Sequence, residues 1–296
     1  MKIVITGSDG FIGKELKEQC QAKNIEVIGI DTASTGDDCH LAMDIRSPDI
    51  KEVIPRGVDA LIHLVAISHD QDCRANPHLA FDVNVLGTLN LIRIAKEREV
   101  RQFIFASSEW VYGEVSNNEV QTEDQLIDLR QIQGEYALSK IVGEQNLRLA
   151  YQKGFCPVTI LRFGVGYGPR SVPGSAVESL FQAVRKEDPV SVDSLATARR
   201  FIHVSDIAEG ILSAFGRKEF EIFNLCGDRL ITLREVIEQS SSLVNRYPKV
   251  IEKNPMSTSI RNPDNKKARE ILGWRPRIKL KEGLLTLLSL SLVKKE

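Results

Sequence analysis

The sequence predicts an α/β protein, a doubly wound parallel sheet followed by a smaller C-terminal lobe. Three observations predict it: short apolar runs alternate with helical stretches, a glycine-rich turn follows the first run, and the alternation stops after Gly164. The first run, Met1-Lys2-Ile3-Val4-Ile5, is too brief for a helix and reads as a buried parallel strand. It leads into Thr6-Gly7-Ser8-Asp9-Gly10-Phe11-Ile12-Gly13. Here Gly7 permits the tight turn, Gly10 lets backbone amides approach a pyrophosphate, and Gly13 lets the next helix pack closely on the sheet. That helix is predicted over residues 12 to 23, with its N-terminus facing the phosphates. Phe11 and Ile12 at its start join the three glycines as candidate cofactor contacts. A second strand, Glu26 to Ile30, ends on Asp31, where an acid hydrogen-bonds the adenosine ribose hydroxyls. A carboxylate there repels a 2'-phosphate, and no Arg or Lys follows within several residues, so the expected cofactor is NAD rather than NADP.

Further along, Ala60 to Ala66 is an apolar strand, Phe81 to Arg98 a helix, and Gln102 to Ala106 a strand. Residues 134 to 152 are a helix and Val158 to Phe163 a strand. After Gly164, the cluster Gly166, Gly168, Pro169, Pro173 and Gly174 marks a loop-rich stretch. The expected division is therefore a Rossmann-type dinucleotide-binding domain over residues 1–165, to which the chain returns at about 200–224, and a smaller lobe over 166–199 and 225–296. The leucine-rich tail from Gly283 to Val293 falls short of the roughly 20 residues that span a bilayer, and reads as a terminal helix packed on the body.

Composition narrows the function classes. A chain of 296 residues buries a large core. A net charge of -1 with 27% charged residues gives no sign of a general nucleic-acid or membrane surface. The five cysteines are odd in number and scattered, and the N-terminus runs straight into a strand without a signal peptide; both point to a reduced, cytoplasmic setting. His69-Asp70-Gln71-Asp72-Cys73, with His78 downstream, offers metal-ligand types at a spacing that matches no usual site. It reads as a solvated loop, and no metal is expected.

Tyr136 and Lys140 are the only Tyr/Lys pair four residues apart with tyrosine first. On a helix that spacing places both on one face, about 5 to 6 Å apart. Beside an oxidised nicotinamide, such a pair can ionise a hydroxyl, so hydride transfer on an alcohol is the expected chemistry.

Further motifs point the same way: Asp44-Ile45, HLVA at His63 to Ala66, NVLGT from Asn84, SSEWVYG from Ser107, and YALSK from Tyr136. LRFGVGYGPR from Leu161, RRFIHVSD from Arg199, and RNPDNKKAREILGWRP from Arg261 follow. Together and in this order they resemble the extended short-chain dehydrogenases/reductases of the nucleotide-sugar epimerase/dehydratase group, over nearly the whole chain. The resemblance implies that Tyr136 is the acid/base, Lys140 its electrostatic partner and a ribose ligand, and Ser108 the hydrogen-bond partner of the reacting sugar oxygen. It places Asp44, Ile45, Leu64, Val65, Ala66, Asn84 and Phe163 along the cofactor. It also implies that Arg199 and Arg261 clasp the diphosphate of a nucleotide-sugar substrate, a task that suits the guanidinium fork. Where the family commonly has an asparagine after its L-R, this chain has Val165. A homodimer is expected too, because the family pairs the helices that correspond to 82–98 and 136–152.

Free tyrosine has a pKa of about 10, so work near neutral pH requires a drop of roughly 3 units, about 4 kcal/mol. One ammonium at about 5 Å supplies roughly 3 kcal/mol at an effective dielectric of 20, before desolvation subtracts from it. The remainder is expected from the positive ring of NAD⁺, so activation is predicted only in the oxidised-cofactor complex. Dehydratases and decarboxylases of the group carry a carboxylate two residues after the Ser/Thr, where this chain has Trp110, which cannot accept a proton. Glu109, one residue earlier, matches the general acid of some dehydratases. The predicted function is an NAD-dependent 4-epimerase acting through a transient 4-keto sugar. A 4,6-dehydratase, a 4-keto reductase and a non-catalytic NAD-binding regulator are the alternatives.

Overall fold

The apolar runs read from the sequence, joined by a short strand at His40–Ala42 that was not expected, form one seven-stranded sheet in the computed structural model, which describes residues 1–32, 40–115 and 119–293. Its strands are β1 (Lys2–Thr6), β2 (Glu26–Asp31), β3 (His40–Ala42), β4 (Ala60–His63), β5 (Phe103–Ser108), β6 (Val158–Phe163) and Phe220–Leu225. Their spatial order is Phe220–Leu225, β6, β5, β4, β1, β2, β3. Neighbours from β6 to β3 pair in parallel, and β1 matches β4 with Thr6 opposite His63. The chain builds outward from β1 to β3 and then restarts at β4 on the other side of β1. The carboxyl ends of β1 and β4 are thus the switch point at which open α/β sheets leave a ligand crevice.

Contacts divide the chain into two units. The first holds Met1–Gly113, Leu126–Phe163 and Ala208–Phe223; the second holds Glu114–Gln125, Gly164–Ile207 and Asn224–Glu296. They depart from the expected boundaries at two places: Glu114–Gln125 groups with the second unit, and the return to the first begins at Ala208 rather than about residue 200.

In the first unit the helices are α1 (Phe11–Ala22), α2 (Ile50–Val53), α3 (Asp70–Ala75), α4 (Pro77–Phe81), α5 (Thr88–Glu97) and α6 (Glu135–Gln152). The core beneath them gathers Val4, Ile30, Leu61, Leu91, Phe103, Phe105, Leu147 and Ile160. α6 lies unusually close to β5 because Gly143 has no side chain: a Cβ there would come within 2.7 Å of the Phe105 ring.

Three sequence expectations need correction. The helix expected from Phe81 to Arg98 is interrupted by a π turn, Asp82–Gly87, that holds Asn84 and presses Gly87 onto Ile45, whose Cδ1 stands 2.5 Å from where a Cβ would be. A pattern of apolar spacing does not register one extra residue in a turn. The segment expected as a loop at residues 69 to 73 instead folds into α3: Asp70 and Asp72 sit in its first turn, where the helix dipole favours carboxylates. Asn76 then caps α4, its Oδ1 accepting from Leu79 N at 3.0 Å, with Pro77 at the first helical position. The strand expected to run to Ala66 stops at His63, where Leu64 N donates to Thr6 O at 3.0 Å and the chain turns against the Gly7 loop.

The second unit is built from two-stranded pieces and helices. Gly166–Tyr167 pairs with Ile202–His203, Ala198–Arg199 with Ile231–Thr232, and Val190–Val192 with Val250–Glu252. Around them lie α7 (Ala176–Lys186), the first turn of α8 (Val204–Ser213), whose remainder from Ala208 belongs to the first unit, and α9 (Leu233–Val244), α10 (Lys266–Leu272) and α11 (Leu280–Val293). Tyr167, Phe181, Val236 and Leu284 centre its core, so the leucine-rich tail is a helix packed on this unit. Among the described residues no helix is long and apolar enough to cross a membrane. His203 is a buried hydrogen-bonder: Nδ1 accepts from Ser205 N at 3.3 Å, and Nε2 lies 3.2 Å from Thr286 Oγ1.

Candidate functional site

The glycine loop is shaped by steric exclusion. Gly7 sits at φ +79°, and a Cβ on it would stand 2.9 Å from Val65 N. A Cβ on Gly13 would stand 2.1 Å from the Gly7 carbonyl oxygen and 2.8 Å from Ser8 Cα, so Gly13 is required for the fit of α1 against its own loop rather than against the sheet. No acidic residue occupies the first turn of α1, so its amide end suits an anion. Asp31 closes the loop from the end of β2: Oδ2 accepts from Asp9 N at 3.0 Å and Oδ1 from Thr32 N at 2.8 Å. Lys17 pairs with the Asp9 carboxylate at 2.9 Å.

The other expected cofactor positions divide in two. Leu64, Val65 and Ala66 are partly open beside Gly7, and Phe163 is buried at the end of β6. Asp44 is bound to Arg46, whose guanidinium lies 2.6 Å from it and 2.6 Å from Asp82; hydrogen bonding to Arg46 holds the Asp44 carboxyl below its usual range. The Ile45 side chain belongs to the core. Asn84 is almost wholly buried: Oδ1 accepts from Ile67 N at 2.8 Å, and Nδ2 donates to Ile67 O and to Ser139 Oγ, each at 3.0 Å.

Asn84 belongs to a chain of buried polar groups that sequence spacing does not reveal, because it joins residues remote in sequence. Thr88 Oγ1 donates to Asn84 O at 2.7 Å and therefore accepts from His63 Nε2, 2.9 Å away. His63 Nδ1 then accepts from Thr6 Oγ1 at 2.9 Å, which fixes the ring's tautomer. Burial, and secondarily the Lys140 charge, pushes the His63 pKa down to about 3, so the ring is neutral. At the far end Ser139 Oγ donates to Tyr136 O at 2.7 Å. A continuous network thus runs from the end of β1 to the first turn of α6.

At that turn the structure brings Ser108, Tyr136 and Lys140 together. Tyr136 shares a hydrogen bond with the Ser108 side chain, and its ring meets Trp110 edge-on at 6.4 Å. Lys140 Nζ lies 5.8 Å from the centre of the Tyr136 ring and 4.9 Å from that of Phe105, and donates to Ala106 O at 2.8 Å. Glu109, in the 3-10 turn Glu109–Tyr112 directly after Ser108, is fully buried. Burial pushes the Tyr136 phenol up to about 12 in the free protein, the Ser108 hydrogen bond offsetting part of that shift and Cys73 adding to it. The Lys140 ammonium is pushed down to about 8 by burial, with the Glu144 carboxylate acting against that shift.

Burial of this ammonium makes stability depend on pH. The folded protein binds the Lys140 proton less tightly than the unfolded chain, whose lysine keeps the ordinary 10.5. Stability therefore rises as pH increases from about 8 to 10.5, and below pH 8 the full cost applies, about 3 kcal/mol at most. Lys140→Met is expected to raise Tm at pH 7, the gain fading toward pH 10.5; a fall in Tm at pH 7 would contradict this.

Arg199 and Arg261 lie in the second unit. Arg199 donates to Ala198 O at 2.8 Å, Ser259 O at 2.6 Å and Ser259 Oγ at 2.6 Å. Buried Arg261 lies 3.7 Å from Glu114, which also accepts from Ser259 Oγ. Two guanidiniums thus converge around Ser259 and one carboxylate.

Residues 3–226 match the model of the NAD dependent epimerase/dehydratase family. The chain is 31% identical over 299 residues to UDP-glucuronic acid decarboxylase 6 of Arabidopsis thaliana, covering 96% of this chain and 87% of that protein. It is similar to the UDP-glucose 4-epimerase of Thermus thermophilus, solved in complex with NAD, at 25% identity and a TM-score of 0.85, over 98% of each chain. The fold is also that of the dTDP-glucose 4,6-dehydratase DesIV of Streptomyces venezuelae, at 24% identity and a TM-score of 0.86, over 100% of this chain and 98% of that one.

Proposed function

Because the chain belongs to the NAD dependent epimerase/dehydratase family, with NAD as its cofactor, we propose that it inverts C4 of a nucleotide-diphosphate sugar through a transient 4-keto sugar. The observation that carries this reading is the meeting of Ser108, Tyr136 and Lys140 beside Trp110, with no carboxylate at the Trp110 position. The residues present fit the cofactor: a Cβ at Gly13 would fill the loop, the amide end of α1 is free of acids, and Asp31 stands at the end of β2. When bound, NAD⁺ accepts and returns the hydride of the sugar's C4.

Tyr136 takes the C4 hydroxyl proton and gives it back, Ser108 orients that oxygen, and Lys140 stabilises the phenolate. Asn84, its carboxamide occupied by protein groups, acts by fixing Ser139 and the first turn of α6. In the second unit, Arg199 and Arg261 grip the diphosphate. With NAD⁺ and a panel of nucleotide sugars, an isomer of the substrate is the expected product. A stable 4-keto-6-deoxy sugar would mean a dehydratase working through Glu109, stoichiometric change in NADH a reductase, and no change in any of these a binding protein without catalysis.

The working form is a homodimer. Leu86, Leu89, Leu138 and Leu149 are exposed by 56%, 40%, 39% and 50% on the π turn, α5 and α6, a row of apolar side chains suited to a second copy. Light scattering is expected to give twice the chain mass, and the double substitution Leu89→Asp/Leu149→Asp to return it to the monomer. A monomeric wild-type protein at micromolar concentration would contradict the dimer.

A further inference from the structure

We propose that Glu144 and Arg162 are positioning residues for this site: a buried clamp that ties the helix carrying Tyr136 and Lys140 to the strand end carrying Ser108, with its carboxylate one helical turn from the Lys140 ammonium. The inference rests on the reading of Tyr136 as the acid/base.

Glu144 follows Lys140 by one helical turn on α6 and is 1% exposed; Arg162, on β6, is 3% exposed. The pair is bidentate, with Arg162 Nη2 2.7 Å from Glu144 Oε2 and Nε 3.0 Å from Oε1. Ser107 Oγ, next in sequence to Ser108, donates to Glu144 Oε1 at 2.5 Å. Arg162 Nη1 donates to Tyr112 Oη at 2.9 Å, at the end of the turn that starts directly after Ser108. Four elements are therefore pinned by one ion pair: β5 through Ser107, the Glu109–Tyr112 turn, β6 and α6. Three of them, β5, that turn and α6, carry the groups around Tyr136.

A buried ion pair contributes little net stability, since desolvation of both charges offsets their attraction. Placement and charge are what it adds. The groups facing Lys140 are Glu144 on its own helix, Cys73 from α3, neutral His63 from β4, Phe105 and the Ala106 carbonyl from β5, and Tyr136. Among them Glu144 is the carboxylate. At one helical turn, its negative charge raises the Lys140 pKa against the effect of burial. Arg162 pairs with Glu144 from the side of β6 at 2.7 Å and offsets part of the desolvation of that carboxylate.

The test reads the phenol itself. Absorbance near the tyrosinate band is titrated against pH with and without NAD⁺, with Tyr136→Phe protein as the blank. In the wild type the Tyr136 midpoint is expected to fall when NAD⁺ binds. In Glu144→Gln, which keeps an oxygen for Ser107 and Arg162 but loses the charge, the NAD⁺-bound midpoint is expected to rise by about one unit. Turnover at pH 7 should fall roughly tenfold with it, and Glu144→Asp should restore the wild-type pH profile. If Glu144→Gln fails to fold because Arg162 is left unpaired, the double variant Glu144→Gln/Arg162→Met removes both charges and is expected to show the same raised midpoint. An unchanged midpoint in folded variants, or turnover lost only in proportion to folded protein, would overturn the clamp. A wild type with no NAD⁺-dependent change would instead overturn the acid/base reading beneath it.

Discussion

Tyr136→Phe is expected to lower turnover by about 10²–10⁴-fold while NAD binding is kept, the range typical of removing a positioned acid/base. The substitution removes one hydroxyl and leaves the ring in place against Trp110 at 6.4 Å. It takes from Ser108 its phenolic partner and from the sugar its proton acceptor. In the free protein the phenol is pushed up to about 12 by burial and is protonated at neutral pH. The Lys140 ammonium, at about 8, is still charged there. Activity is therefore expected to appear only when the oxidised cofactor adds a second positive charge near the phenol, and to increase as pH rises toward its lowered pKa. Steady-state kinetics with calorimetric NAD titration decides the matter: a Tyr136→Phe protein that turns over within a factor of ten of wild type would remove Tyr136 from the chemistry.

Gly13→Ala is the second large effect, and it should fall on NAD affinity. A methyl group at that position would meet the Gly7 carbonyl oxygen at 2.1 Å and the Ser8 backbone at 2.8 Å. Both obstacles are backbone atoms of the loop that receives the phosphates, so relief requires the loop to move. Overpacking of this kind costs roughly 1–3 kcal/mol, equivalent to about a 10–100-fold loss of affinity if it falls on the bound loop geometry. At Gly10 the free protein leaves more room, since a Cβ would meet only the Gly7 oxygen at 3.2 Å and the backbone is in an ordinary extended conformation at φ -69°. A loss of NAD affinity in Gly10→Ala is therefore expected to come from the approach of the pyrophosphate rather than from the fit of the loop against α1. Wild-type NAD affinity in Gly13→Ala would show that the loop is softer than its contacts imply.

Features governed by local spacing were legible in the sequence. The run Val158 to Phe163 is a strand with those bounds, because a short run rich in β-branched and apolar residues, broken only by Thr159 and Arg162, lies between Pro157 and Gly164. Asp31 ends β2, where the second strand was expected to finish. The i, i+4 spacing of Tyr136 and Lys140 places both on one face of α6. Features that depend on contacts between distant residues were not legible. Nothing local marks the π turn at Asp82–Gly87, which accommodates Ile45 against Gly87.

Glu144 sits at the same four-residue step from Lys140 as Lys140 from Tyr136, and that was a usable signal. Its partner Arg162 is on another strand, so the pair emerges only in three dimensions. The burial that raises the Tyr136 phenol was not legible either, because desolvation depends on packing around the phenol that a helix spacing does not specify.

The most direct measurement follows the C4 hydrogen. A nucleotide sugar from the panel that turns over is prepared with deuterium at C4 and incubated with enzyme, NAD⁺ and ordinary water. If Tyr136 removes only the hydroxyl proton while the hydride leaves and returns within one active site, the inverted product keeps its deuterium at C4, and no label reaches the solvent. Deuterium found at C6, passed to free NADH or lost to water would contradict C4 inversion as the reaction of this protein.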